Sequence, residues 1–72
     1  MRVVISPVPG VVRNLNVIPN SAVRRGQILL EIEVLGMSQK IPSPVEGIVR
    51  AVLVQNGQQV KEGVLLMEVE PM

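Results

Sequence analysis

The carboxylates are the residues of this chain whose type and spacing could do chemistry. Its only carboxylates are six glutamates, and four of them form two pairs with one residue between the partners, Glu31 with Glu33 and Glu68 with Glu70. On a β-strand, residues i and i+2 face the same side, so each pair could bind a cation or act in general acid–base catalysis. Such pairs more often keep an exposed strand face hydrated and discourage edge pairing, and we favour this interpretation.

The other reactive side chains lack the partners that catalysis needs. There is no histidine to activate a serine hydroxyl, and the chain contains no cysteine or aspartate. The absence of cysteine excludes a disulfide framework and a thiolate zinc site, and the absence of histidine removes the commonest metal ligand. The two lysines, Lys40 and Lys61, are predicted to be ordinary solvated surface residues. We therefore predict no catalytic residue and no metal site.

The composition indicates a small globular domain with an aliphatic core. About 47% of the 72 residues are apolar, none is aromatic, and 21 of the 34 apolar residues are Val or Ile. A net charge of +1 without aromatic residues provides neither the basic stripe nor the stacking platform of a nucleic-acid-binding protein. No apolar run is long enough to span a membrane, and no signal peptide is visible. We expect a single domain over residues 1–72 in the cytoplasm.

An internal repeat organises the chain. When the sequence is aligned with itself at an offset of 37 residues, Ser6–Arg13 matches Ser43–Arg50, and 12 of the 28 positions from residue 6 to residue 33 are identical. Two copies are too few for a solenoid. The repeat predicts two similar halves, residues 6–33 and 43–70, each contributing half of one core and neither able to fold alone.

Each half is predicted to contain strand, turn and strand. Residues 11–18 and 48–54 are rich in β-branched side chains. Residues 28–33 alternate, with Ile28, Leu30 and Ile32 on one face and Leu29 sharing the other face with the glutamates, and residues 65–70 repeat this pattern. Asn20 matches Gly57 in the repeat, and both residue types tolerate the backbone of a tight turn. No stretch has a helical apolar stripe with caps, so we predict an all-β domain of about eight short strands.

The segment that joins the two halves is predicted to be a β-hairpin. Strand patterns flank residues 34–42, and the tip falls near Leu35-Gly36, where glycine accepts the positive φ of a two-residue turn. Turn geometry alone would explain this glycine. Leu35 and Met37 place two apolar side chains beside the tip, which suggests a contact surface or the remnant of one.

Four motifs in this framework resemble those of biotinyl/lipoyl-attachment domains, and together they cover nearly the full chain. Ser6-Pro7-Val8-Pro9-Gly10-Val11-Val12 is similar to the family's opening Ala-Pro-Met-Pro-Gly-x-Val, and residues 22–29 are similar to its x-Val-Lys-Lys-Gly-Gln-x-Leu turn. Residues 43–49 resemble the stretch after the modified hairpin, and residues 60–66 resemble the final turn. The resemblance implies a flattened β-barrel, a barrel-sandwich hybrid of two four-stranded sheets with pseudo-twofold symmetry.

The resemblance also identifies the hairpin as the position of cofactor attachment in this family. In biotin carboxyl carriers the tip usually contains Glu-Ala-Met-Lys-Met, and the lysine carries biotin. Counting back from Gly47, the matching residues are Glu33, Val34, Leu35, Gly36 and Met37. Gly36 replaces the acceptor lysine and has no amine, so neither biotin nor lipoate can be attached there. Met37 favours the biotinyl over the lipoyl type.

Lys40 is the alternative acceptor, although a weak one. It lies four residues further along the returning strand, about 13 Å from the tip at about 3.3 Å per residue. We therefore expect no cofactor, with biotin as the candidate if there is one.

Three functions agree with this sequence. The first is an unmodified, degenerate biotinyl-type domain that acts as a structural or protein-binding module, and we favour it. The second is a working carboxyl carrier of a biotin-dependent carboxylase, modified at another lysine such as Lys40. The third is a barrel-sandwich spacer in a larger adaptor or transport assembly. By ancestry, carboxylase subunits or biotin ligase would be the protein partners, and none of the three functions makes the chain an enzyme on its own.

Overall fold

Strands account for all the regular secondary structure in the computed structural model, which describes residues 1–72. No helix is present that is long and apolar enough to cross a membrane. The prediction of an all-β chain with about eight short strands is confirmed. The strands are β1 (Arg2–Ile5), β2 (Gly10–Arg13), β3 (Ala22–Val23), β4 (Ile28–Val34), β5 (Met37–Pro42), β6 (Gly47–Val52), β7 (Gln59–Val60) and β8 (Leu65–Pro71).

The strands form two four-stranded sheets in which all pairs are antiparallel. Sheet 1 has the order β1-β8-β6-β3, and sheet 2 has the order β5-β4-β2-β7. A shift of 37 residues converts β1–β4 into β5–β8 and therefore converts the strand order of one sheet into that of the other. Each sheet takes two strands from β1–β4 and two from β5–β8, so neither set of four strands has a sheet of its own. The predicted barrel-sandwich of two related sheets is confirmed.

Hydrogen bonds outside the ladders repeat at the same offset. The backbone N–H of Ser6 donates to the carbonyl of Val64 at 2.9 Å, and the N–H of Ser43 donates to the carbonyl of Gln27 at 2.8 Å. Both serine hydroxyls are buried, and they donate to the carbonyls of Val8 and Val45 at 2.6 and 2.7 Å. Because backbone groups buried without partners are costly, these bonds fix the proline-containing segments against the core in both halves.

The core is aliphatic, and its centre lies on the two long strands β4 and β8. Leu29, Leu30 and Ile32 of β4 are fully buried, as are Leu66 and Met67 of β8. Leu29 and Leu66 were predicted to share a face with the glutamates. They are instead buried together with the residues that follow them, Leu30 and Met67, so the predicted alternation is wrong at these positions. The β4–β5 register shifts between Ile28 and Leu30, which leaves Leu29 without a partner in the ladder. This irregularity turns Leu29 inward, and β8 has the corresponding irregularity at Leu66.

Two strands end earlier than the sequence predicts. Residues 11–18 were expected to form one strand, but β2 ends at Arg13 because Asn14 has a φ of 52° and the chain leaves the extended conformation there. The later strand was expected over residues 48–54, whereas β6 spans Gly47–Val52. Leu15 and Val17 after β2 and Val54 after β6 therefore pack onto the core from loops.

Candidate functional site

The β4–β5 hairpin has the predicted two-residue turn at Leu35-Gly36. Val34 and Met37 form the last pair of the ladder, and the two residues between them have φ values of 52° and 78°. Positive φ at both central positions is characteristic of a type I′ turn, which matches the twist of the flanking strands. Glycine accepts this conformation readily, whereas a leucine in it is uncommon.

The base of the hairpin is rigid, and its tip projects from the domain. The buried residues Leu29, Leu30 and Ile32 hold β4 in the core, while Leu35 is 98% exposed and Met37 is 75% exposed. β5 pairs with β4 from Pro42 at the base to Met37 at the tip. A rigid strand pair with an exposed turn can present a side chain to another protein without an additional cost of ordering the backbone.

Apolar side chains beside the turn form a shallow groove of about 290 Å³. The residues that line it are Val8, Val34, Leu35, Met37, Ser38 and Gln39. The predicted motif flanks Val34, Leu35 and Met37 are therefore close together, with their apolar atoms directed toward solvent or the groove. Glu33 lies apart from them, because its carboxylate pairs with the Arg13 guanidinium at 3.4 Å on the outer face of sheet 2.

Position 36 has room for a larger side chain. A Cβ atom built at Gly36 would meet no other atom within 4 Å. The only obstacle to a lysine here is the positive φ of 78°. The turn thus has space for an exposed side chain at position 36, but Gly36 has no amine that could form an amide with a carboxylate cofactor. The residues at the turn do not fit a covalently attached biotinyl or lipoyl group.

Lys40 lies within the regular ladder of β5 and not at a turn. It is exposed and lies opposite Glu31, with Arg13 opposite Glu31 on the other side. Four residues separate it from Gly36 along the strand, which corresponds to about 13 Å. Lys40 is therefore positioned as a cross-strand partner of Glu31 on a solvated sheet face.

The two glutamate pairs lie on the outer faces of the two sheets. Glu33 pairs with Arg13, and Glu70 pairs with Arg50, whose Nε lies 2.6 Å from the carboxylate oxygen. The two ion pairs are related by the 37-residue repeat, and all four side chains are partly exposed. This arrangement agrees with hydration of the sheet faces, the role that we favoured from the sequence. No group of three or more acidic, histidine or cysteine side chains that could hold a metal ion occurs in the chain.

The serines serve the backbone or lie at the surface. Ser6 and Ser43 donate to carbonyls as described above, and the Oγ of Ser21 accepts from the N–H of Ile18 at 3.1 Å. Ser38 is exposed on β5 next to the hairpin tip, and Lys61 is exposed in the turn before β8. No second reactive group lies within hydrogen-bond distance of any of these side chains.

Sequence reasoning missed Val8 as a neighbour of the hairpin tip. It lines the groove beside Val34 and Met37, although 26 residues separate it from Val34 in the sequence. Val8 directly follows Pro7 in the segment that resembles the family's opening motif, and this position could have identified it as a candidate. Its partners were not predictable, because the contact depends on how the first loop folds over sheet 2.

Comparison with known proteins agrees with this architecture. The biotin/lipoyl family model, described as "Biotin-requiring enzyme", matches residues 2–69. No curated protein matches the chain. Among solved structures, the chain is similar to a single-chain, multi-domain long-chain acyl-CoA carboxylase, with a TM-score of 0.86 and 23% identity over 92% of this chain. The chain spans 7% of the length of that protein, and at this identity the likeness concerns the fold.

Proposed function

The chain belongs to the biotin/lipoyl family, and we propose that it is a biotin carboxyl carrier-like domain that is not modified at its hairpin turn. In this proposal it acts as a non-catalytic structural or protein-interaction module. The rigid hairpin with its apolar tip is the part that contacts a partner. Leu35 and Met37 provide the exposed apolar side chains of this contact surface, and the concave groove that they line is part of the same surface.

The observation that carries the proposal is the glycine at the second position of the turn. A tethered cofactor works because its attachment point lies on an exposed, rigid element, which keeps the reactive end at a high effective concentration near partner active sites. Gly36 is at such a point and has no amine. Without an acceptor there, the domain retains the shape of a carrier but not its anchor for the cofactor.

Modification at Lys40 is the alternative within the carrier class. It would require a ligase to accept a lysine in the middle of a strand, opposite Glu31, in place of one at a turn. A ladder position offers less access than the turn, where Leu35 is 98% exposed. We therefore rank Lys40 below the unmodified domain.

A role as a spacer in a larger assembly is supported by the comparison of lengths. The similar carboxylase structure is a multi-domain chain of which this fold occupies 7%. In such an assembly the domain would position its neighbours and bind carboxylase subunits through the hairpin, while catalysis takes place elsewhere. The cytoplasmic location and the possible contact with a biotin ligase remain predictions that accompany this proposal.

Intact-mass spectrometry tests the proposal directly. The chain is coexpressed with a biotin ligase and separately with a lipoate ligase, and its mass is also measured after purification from the native source. We expect the unmodified mass in all three cases. A mass increase by one biotinyl or lipoyl group that maps to Lys40 would support the working carrier and contradict the proposal.

The matched control is Gly36→Lys, which restores the amine at the turn. We expect this variant to gain one biotinyl group under the same conditions, because the turn is exposed and the position has space for the side chain. The variant Gly36→Lys with Lys40→Arg separates the two possible acceptors. If the ligase ignores Gly36→Lys although the variant is folded, the assignment of position 36 as the acceptor position is wrong.

A further inference from the structure

A second groove of about 270 Å³ lies between two edge strands, β1 of sheet 1 and β5 of sheet 2. One wall is β1, with Val3, Val4 and Ile5, and the other wall is β5, which includes Lys40 and Ile41. We call it the seam groove, because β1 is the edge of sheet 1, β5 is the edge of sheet 2, and the two strands do not pair with each other. It extends from the middle of β5 toward the base of the hairpin and does not include residue 36.

The backbone on both walls of the seam groove has unused hydrogen-bonding capacity. β1 pairs only with β8, and β5 pairs only with β4. None of the backbone hydrogen bonds outside the ladders involves a residue of β1 or β5. An edge strand presents a row of free N–H and C=O groups on its open side, and this row can accept another strand.

The internal repeat shows that the two edges differ in the side chains that they expose. Val3 of β1 corresponds to Lys40 of β5 at the 37-residue offset, and Ile5 corresponds to Pro42. Lysine and proline are typical of edges that resist pairing, whereas valine and isoleucine favour strands. Val3 is 55% exposed and Ile5 is 50% exposed, so β1 combines free backbone groups with open apolar side chains.

The charge of the seam groove restricts what it can accept. Lys40 is the one charged residue among the nine that line it, and no carboxylate is present. Glu31, the cross-strand neighbour of Lys40, does not line the groove, so Lys40 is the only charged side chain that a carboxylate of an occupant meets on the groove walls. Since β5 forms a wall opposite β1, a single extended segment fits beside β1 more readily than the edge of a second complete sheet.

We propose that the seam groove binds an extended segment of a partner protein, which adds a strand to the edge of sheet 1 at β1. The segment has apolar residues at alternate positions, which contact Val3 and Ile5, and a glutamate or aspartate that pairs with Lys40. Main-chain hydrogen bonds supply much of the affinity and the side chains supply the selectivity, as in other cases of strand addition. The proposal does not depend on the modification state of the hairpin.

Amide NMR on the isotope-labelled chain tests this proposal. The probe is an acetylated, amidated peptide with the sequence Val-Glu-Val-Glu-Val, compared with Val-Lys-Val-Lys-Val and with a Val-Glu-Val-Glu-Val peptide N-methylated on alternate amides. We expect the glutamate peptide to shift the amide signals of β1 and of Lys40. We expect weaker binding of the lysine peptide, because it repels Lys40, and of the methylated peptide, because it lacks donors.

Variants at equivalent positions separate the proposal from non-specific adhesion. In Val3→Lys, β1 carries a lysine at the position that corresponds to Lys40 of β5 in the repeat. We expect this variant to bind the glutamate peptide about tenfold more weakly. Ile18→Lys is the control, because Ile18 is 71% exposed and does not line the groove, and its affinity should be unchanged. Lys40→Glu should reverse the preference between the two charged peptides.

Three results would overturn the inference. They are equal binding of the methylated and unmethylated peptides, equal loss of binding in Val3→Lys and Ile18→Lys, and concentration-dependent dimerisation in sedimentation that Val3→Lys abolishes. The last result would assign the edge to a second copy of the chain. Gly36→Lys should bind the glutamate peptide like the unaltered chain, so failure of strand addition and failure of the proposed function are distinguishable.

Discussion

Val34 and Met37 lie directly opposite each other as the last pair of the β4–β5 ladder, and only Leu35 and Gly36 connect them. The connection requires positive φ at both residues, although only one of them is glycine. The turn therefore combines a favourable residue at its second position with an unfavourable one at its first. This combination leads to two predictions of opposite sign.

Gly36→Lys should fold with a small loss of stability. The side chain meets no atom within 4 Å, so the cost is that of placing an L-residue in the left-handed region, about 1 kcal/mol. Urea unfolding of the unmodified variant measures it. A loss comparable to the whole stability of the domain would show that the turn is packed more closely than described.

Leu35→Asn should stabilise the domain. Leu35 is 98% exposed, so its replacement removes almost no packing. Asparagine tolerates positive φ, and Asn-Gly is a preferred residue pair for a type I′ turn. We expect a gain of about 0.5–1 kcal/mol in the free energy of unfolding. Met37→Asn is the control, because Met37 is exposed without positive φ and should show no gain. If the hairpin binds a partner as proposed, Leu35→Asn should also weaken that contact.

Gly47→Ala should be severely destabilising. A Cβ atom at this position would clash with the carbonyl oxygen of Glu70 on the neighbouring strand β8, and backbone in a ladder cannot move away cheaply. We expect a loss of about 3 kcal/mol or more, measured by chemical denaturation. Gly36→Ala is the matched control, since it adds the same methyl group in open space and should cost about 1 kcal/mol. Equal effects of the two substitutions would contradict the close approach.

Ser43→Ala should destabilise the core without changing its volume greatly. The hydroxyl is buried and donates to the carbonyl of Val45 at 2.7 Å, so its removal leaves a buried acceptor without that partner. We expect a loss of about 1–2 kcal/mol by thermal or urea unfolding. Ser6→Ala should behave alike, because Ser6 has the equivalent bond in the other half. Ser38→Ala, at an exposed position, should stay within about 0.5 kcal/mol of the unaltered domain.

Features that depend on local chemistry were predictable from the sequence. The repeat, the β-branched composition and the absence of helical patterns predicted an all-β domain of two similar halves, because similar segments with similar turns adopt similar local structure. The division into two four-stranded sheets was implied by the resemblance to the family. The position of the hairpin turn at Leu35-Gly36 was predictable for the same reason. The missing amine at position 36 can be read from the sequence directly, and its meaning comes from the family motif that surrounds it.

Features that depend on long-range packing appear only in the tertiary structure. The burial of Leu29 and Leu66 follows from register irregularities that alternation cannot reveal, since a single unpaired residue reverses the direction of a side chain. The pairing of Arg13 with Glu33 depends on which strands become neighbours. The seam groove exists because β1 and β5, which are far apart in the chain, are edge strands of different sheets. The sequence by itself thus determined the repeating strands and the absence of an amine at position 36, and the closure of the two sheets on one core decided which surfaces remain open to partners.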